Sequence, residues 1–109
     1  MTISSAAESL GLTLVTNPGY EDRDITGCYI GDLLSLVMGK ATDGDVWITI
    51  QTNINIVAVA ALTEAACVVI PEGISVEPTT VDKANEKGII IFGSEKDSYN
   101  LAVALSKLI

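Results

Sequence analysis

The sequence predicts one α/β domain over residues 1–109, built on a mainly parallel β-sheet with helices on both faces. Two observations about pattern and one about size point there. The apolar runs VWITI at Val46, CVVI at Cys67 and IIIF at Ile89 start 21 or 22 residues apart. Each run is rich in β-branched residues and apolar on both faces, as a parallel strand covered on two sides must be, and each is followed by a segment that can form a helix. A chain of 109 residues makes one compact core and leaves no room for two. At this size folding buries roughly 65% of the unfolded surface, so neither a metal nor a disulfide is needed to hold the domain.

The elements follow in order. A short helix is expected around Ile3 to Leu10, then a strand over LTLV, Leu12 to Val15. NPGYEDRD, Asn17 to Asp24, reads as an exposed turn whose charges Glu21, Asp22, Arg23 and Asp24 are solvated. Cys28 begins a short strand. GDLLSLVMG, Gly31 to Gly39, reads as a short helix bracketed by glycines, with the Asp32 carboxylate favouring its dipole as a cap. Asp43-Gly44-Asp45 is a polar turn before the strand at Val46. In EPTTVDKANEKG, Pro78 and the threonines start a helix and Gly88 stops it, and because only Val81 and Ala84 are apolar it lies on the surface. The last segment, SYNLAVALSKLI, places Leu101, Ala102, Leu105, Leu108 and Ile109 on one stripe that docks on the core.

Composition excludes several functions. The chain is 49% hydrophobic and 18% charged, which excludes disorder. So high an apolar fraction on so small a body suggests that another subunit covers part of it. Net charge is −8, with six Lys and Arg scattered singly, so no basic stripe exists to release counterions from nucleic acid. Cys28 and Cys67 have apolar neighbours, no CxxC spacing and no histidine to assist them, so they read as packed, reduced thiols without a metal. The N-terminus lacks a basic signal-peptide region, and the seven-residue apolar run Ile56 to Leu62 is far short of a membrane span. A soluble cytoplasmic protein with no membrane or nucleic-acid partner is the expectation.

Thr52, Asn53 and Asn55 stand where the strand from Val46 hands over to the next helix. Asn and Thr side-chain oxygens accept free backbone N–H groups, so capping accounts for at least one of them. A second reading stands beside it. In open parallel sheets ligands bind beyond the carboxyl ends of strands, where helix N-termini favour anions, which makes Thr52, Asn53 and Asn55, with Gly31 and Asp32 at the preceding junction, candidates for a small anionic metabolite or nucleotide. The helix from Ile56 to Ala66 is apolar all round and rich in alanine, so it needs cover on more than one side. Either a second subunit supplies that cover at Ile56, Val57, Ala60 and Ala61, making a homodimer, or the helix is wedged between the sheet and the C-terminal helix.

Catalytic inventory is missing. There is no histidine, no GxxxxGK[ST] or GxGxxG phosphate loop, no GxSxG elbow and no Cys beside a base, so neither catalytic residues nor cofactors are expected.

The stretch from Thr26 to Leu105 resembles the DRTGG domain family, most closely over residues 27–106. The pieces that carry the likeness are Tyr29-Ile30-Gly31-Asp32-Leu33-Leu34, the strand and polar junction ending in Asn55, then Ile56-Val57-Ala58-Val59-Ala60, and the CVVIPEG turn. The resemblance implies a compact, usually non-catalytic α/β module that regulates or interacts. It accompanies phosphate acetyltransferase, cobyric-acid-type synthase and CBS-containing pyrophosphatase domains and is similar to the N-terminal domain of HPr kinase, whose catalytic half has no counterpart here. Where that family carries Asp-Arg-Thr-Gly-Gly, this chain has Thr52-Asn53-Ile54-Asn55-Ile56, which keeps the position and lacks the charged pair. The implied role is a regulatory ligand-binding or protein-interaction domain. The alternatives are a structural homodimerisation adaptor and a subunit whose catalytic partner is another chain.

Overall fold

The computed structural model describes residues 1–109. Its helices are α1 (Ile3–Leu10), α2 (Leu34–Lys40), α3 (Asn55–Thr63), α4 (Pro78–Lys87) and α5 (Ser98–Ser106). Its strands are β1 (Thr13–Leu14), β2 (Gly27–Ile30), β3 (Asp45–Ile48), β4 (Cys67–Ile70) and β5 (Ile91–Gly93). They form one sheet in the order β1-β5-β4-β3-β2, with β2 to β5 parallel and only β1 antiparallel to its neighbour. The α/β class expected from the sequence is the class observed.

Strand register divides the core in two. Tyr29, Trp47, Val68 and Ile91 lie abreast, and their side chains join Val37 of α2, Ile56, Val57, Val59 and Ala60 of α3, and Ala84 of α4. The next row, Ile48, Val69 and Phe92, faces the other way and joins Ile3 and Ala6 of α1 with Leu101 and Leu105 of α5. This division follows from topology. From β2 to β5 each connection steps one strand in the same direction, and right-handed crossovers then put α2, α3 and α4 on the same face. The terminal helices cover the other.

Helix ends mostly obey their sequence signals. Thr2 caps α1 by accepting from the Ser5 N–H at 3.2 Å, and Asp97 caps α5 by accepting from Asn100 N–H at 2.7 Å. Pro78 opens α4, and Gly88 closes it at φ 72°. Several boundaries differ from expectation: β1 keeps only Thr13–Leu14 of the run Leu12 to Val15, and β5 begins at Ile91 rather than Ile89. The segment from Gly31 is not helical until Leu34, because the Asp32 carboxylate bonds to the end of β3 and does not cap α2. β3 stops at Ile48 for the same reason. Helix α3 ends at Thr63: Glu64 adopts a left-handed φ of 56° and turns its N–H onto the Ala60 and Ala61 carbonyls, so Ala65 and Ala66 lead into β4. Helix α5 ends at Ser106, leaving Leu101 and Leu105 buried and Ile109 exposed.

The Asn17–Asp24 loop is exposed yet anchored. Tyr20 packs edge-on against Phe92 with ring centroids 6.0 Å apart, and its hydroxyl lies 3.0 Å from Ser4 Oγ. Asp22 accepts from the Ser4 N–H at the start of α1, which holds its carboxyl below the ordinary 3.8. Arg23 pairs with Asp43. In the turn before β3, Gly44 has φ 87° and sits against the Thr26 side chain, so both conformation and space demand glycine. No helix is long and apolar enough to cross a membrane.

Candidate functional site

The carboxyl ends of β2 and β3 deliver the candidate residues to one edge of the sheet. Beyond β2, Gly31 donates its N–H to Ile48 O at 3.2 Å and accepts the fully buried Trp47 indole N–H at 2.9 Å. A Cβ at Gly31 would meet the Tyr29 ring at 2.8 Å, which keeps this turn bare. Next comes Asp32, whose Oδ1 accepts from Thr49 Oγ1 at 2.8 Å and from Ile50 N–H at 2.9 Å. Its backbone carbonyl accepts from Gln51 Nε2 at 3.0 Å. Gln51 Oε1 accepts in turn from Asn53 Nδ2 at 3.0 Å, and Asn53 Oδ1 accepts from the Asn55 N–H at 3.0 Å. On the far side the Thr52 carbonyl accepts from the buried Thr80 hydroxyl at 2.7 Å, while Thr52 Oγ1 lies 3.5 Å from Glu77 Oε2.

The structure thus gathers Gly31, Asp32, Thr52 and Asn53 into a polar belt that joins the starts of α2, α3 and α4. Asn55 is the exception among the five, because it occupies the first turn of α3 and makes no side-chain hydrogen bond. Sequence reasoning missed Trp47, Thr49, Gln51, Glu77 and Thr80. For Thr49 and Gln51 a signal existed, since polar residues at the end of a buried strand need partners. Thr80 stands four residues before Ala84 on the buried side of α4 and was equally readable.

Two features limit what the belt can hold unaided. The first-turn donors of α3 are in use: Asn55 N–H goes to the Asn53 side chain, Ile56 N–H to Asn53 O at 3.2 Å and Val57 N–H to Ile54 O at 3.1 Å. Asp32 and Glu77 also make the edge acidic. A topological reason underlies the shallow surface. The crevice that receives ligands in doubly wound sheets opens where strand order reverses, and from β2 to β5 this order never reverses.

The hollows of the surface lie mostly elsewhere. One of about 390 Å³, at the amino end of the strands, is rimmed by Glu21, Arg23, Glu64 and Lys87, and beside it one of about 340 Å³ is lined by Thr16, Tyr20, Asn85 and Ile89. A third, of about 280 Å³, runs between α3 and α4 past Ile54, Asn55, Ala58 and Lys83. A fourth, of about 350 Å³, follows the free edge of β2 at Cys28 and Ile30. The last, within the α1/α5 core, is wholly apolar and about 10 Å³, a packing gap at the lower limit for one water.

Of the candidate interface residues, Ile56, Val57 and Ala60 are buried within the chain and only Ala61 is exposed. The neighbours that bury them are α2 and α4; the C-terminal helix lies on the opposite face of the sheet. Exposed on α3 are Asn55, Ala58, Ala61 and Leu62, with Ile54 exposed just before it. Cys28 and Cys67 are both free thiols. Val46 stands abreast between them, so their Cα atoms are about two strand spacings, roughly 9.6 Å, apart and beyond disulfide reach. Burial raises the Cys67 thiol to about 12 and Cys28 to about 11, with Asp45 adding to the latter.

No protein-family profile and no curated protein sequence matches the chain. Among solved structures, the chain is similar to the CBS and DRTGG domains of the regulatory region of Clostridium perfringens pyrophosphatase, crystallised with its activator, diadenosine tetraphosphate. The TM-score is 0.72 at 10% identity, over 94% of this chain and 45% of that one. At such identity the likeness establishes the fold. The chain spans less than half of the regulatory region it resembles.

Proposed function

We propose that this chain is a non-catalytic regulatory domain that takes a small nucleotide-like or other anionic ligand at the belt formed by Gly31, Asp32, Thr52 and Asn53. One observation carries the reading: amide and hydroxyl groups from three separate strand–helix junctions converge on a single surface, and that surface is the carboxyl edge of a parallel sheet. The fold shared with a regulatory region crystallised with diadenosine tetraphosphate supports it. Gln51, Thr52 and Asn53 offer donors and acceptors suited to a base or ribose.

The test is titration calorimetry with ATP, AMP and diadenosine tetraphosphate on the intact chain. Saturable binding that Asn53→Ala weakens about tenfold, the loss of one to two hydrogen bonds, is the expected result. Absence of heat and of any thermal shift with all three at millimolar concentration would remove the nucleotide reading.

A further inference from the structure

The two edges of the sheet end differently. At one, β1 is only two residues long and runs antiparallel to β5, which leaves little for another strand to pair with. At the other lies β2, Gly27-Cys28-Tyr29-Ile30, and from Ile25 to Gly31 no residue is charged and none is proline. Nothing in this run guards the edge against pairing. Its free backbone groups can be placed. Gly31 gives its N–H to Ile48 O at 3.2 Å, and β2 and β3 run parallel with Tyr29 abreast of Trp47. By the alternation of a strand, Tyr29 also turns its N–H and C=O to β3, and those of Cys28 and Ile30 point outwards. We propose that a second copy of this chain pairs here, β2 antiparallel to β2 about a two-fold axis at Tyr29, joining the two sheets into one.

The free groups select that register. It sets Cys28 of each copy opposite Ile30 of the other, and each such pair exchanges both of its N–H···O bonds. An axis at Cys28 would instead set Ile30 opposite Thr26, whose N–H is already given to Gly44 O at 3.0 Å. Side chains supply a second observation, independent of the backbone. Cys28 and Ile30 border a hollow of about 350 Å³ together with Ala102, Leu105 and Ser106 of α5 and with Ile109, and Ile30 and Ile109 stand 47% and 48% exposed. The two-fold brings the hollows of the two copies together on one face of the joined sheet, where each Ile30 lies over the Cys28 of its mate. On the opposite face Tyr29 meets Tyr29 as a cross-strand aromatic pair. Because Ile25 to Gly31 carry no charge, two chains of charge −8 meet along β2 with no like charges abreast. The proposal stands apart from the ligand reading, since its measurement needs no ligand.

Sedimentation equilibrium of the unliganded chain at micromolar concentration is the first test. The expected mass is twice 11.4 kDa. Ile30→Lys, at an exposed position, should leave the circular dichroism spectrum intact and weaken the dimer by roughly tenfold or more, as lysines on natural edge strands oppose pairing. Cross-linking reads the register. Ile30→Cys sets its thiol against Cys28 of the other copy with Cα atoms about 5.5 Å apart, within disulfide reach, so mild oxidation should give a covalent dimer. Adding Cys28→Ser to that variant should abolish the link. A monomeric wild type, a dimer indifferent to Ile30→Lys, no covalent dimer from Ile30→Cys, or one that survives Cys28→Ser would each overturn the proposal.

Discussion

The buried polar side chains of this protein are spoken for one by one. The Thr49 hydroxyl donates to Asp32, the Trp47 indole to Gly31 and the Thr80 hydroxyl to Thr52, and no buried side-chain nitrogen or oxygen lacks a partner. Such groups fix loops because an orphaned one costs about 1–3 kcal/mol. The two thiols carry a pH consequence. Each has a folded pKa raised above the ordinary 9.0, to about 11 for Cys28 and about 12 for Cys67. A raised folded value favours the folded state fully below pH 9, where both states are protonated. That advantage is lost as pH climbs from 9 towards 12, where the unfolded chain ionises first. Denaturant midpoints should therefore hold between pH 7 and 8 and fall as pH passes 9, less steeply in Cys67→Ala. Thiol labelling at neutral pH should be slow, with Cys28 on the exposed edge strand reacting before Cys67. Fast labelling of Cys67 in the folded protein would contradict the burial described here. That Cys67 is packed was legible in the sequence; that Cys28 lies exposed on the edge strand, with Val46 between the two thiols, was not, because strand order and register are properties of the assembled sheet.

Among the elements, the β3–α3 junction shows which part of a helix start can be read from sequence. A cap among Thr52, Asn53 and Asn55 is expected from residue type alone; in the structure the N-cap position falls to Ile54, which has no side chain to cap with, and Asn53 just before it supplies the bond through its Oδ1, which takes the Asn55 N–H. The chain alone could not choose between them, because either asparagine fits the local pattern and the choice depends on where Gln51 and Asp32 hold the loop. Replacing Asn53 by Ala should cost about 1 kcal/mol. Asn55→Ala should be neutral or slightly stabilising, since the side chain makes no bond and Ala is the better helix former. Chemical denaturation of the two variants separates the roles, and equal losses would show that Asn55 also caps. The C-terminal boundary of α3 was illegible for a different reason. Glu64 adopts a left-handed conformation more usual for glycine, so no residue announced the stop, whereas Gly11 and Gly88 announced theirs.

For the whole molecule, the five-stranded sheet separates two cores that do not touch, and stability belongs to both at once. The sequence rhythm of strands and helices made the α/β class legible. The division of helices between faces was not, because it follows from the direction in which successive crossovers step and from β1, two residues long and antiparallel, closing the far edge. That direction carries a consequence for energetics. Ile56 is fully buried on the α2–α4 side and Leu101 on the α1/α5 side, with the sheet between them. Ile56→Val should cost about 0.5–1.5 kcal/mol and Leu101→Ala about 2–5 kcal/mol, the first removing one methyl group and the second leaving a cavity. Sites separated by a layer share no neighbours, so the double variant should lose the sum within about 0.5 kcal/mol. Neither face can keep its strands without the other, because β3, β4 and β5 each contribute alternate residues to both. Fluorescence of Trp47, on the first face, and ring ellipticity of Tyr20 and Phe92, on the second, should therefore report the same unfolding midpoint in all three variants. Midpoints that parted in Leu101→Ala would show the α1/α5 layer leaving first, and the domain would then be two cooperative units stacked on one sheet.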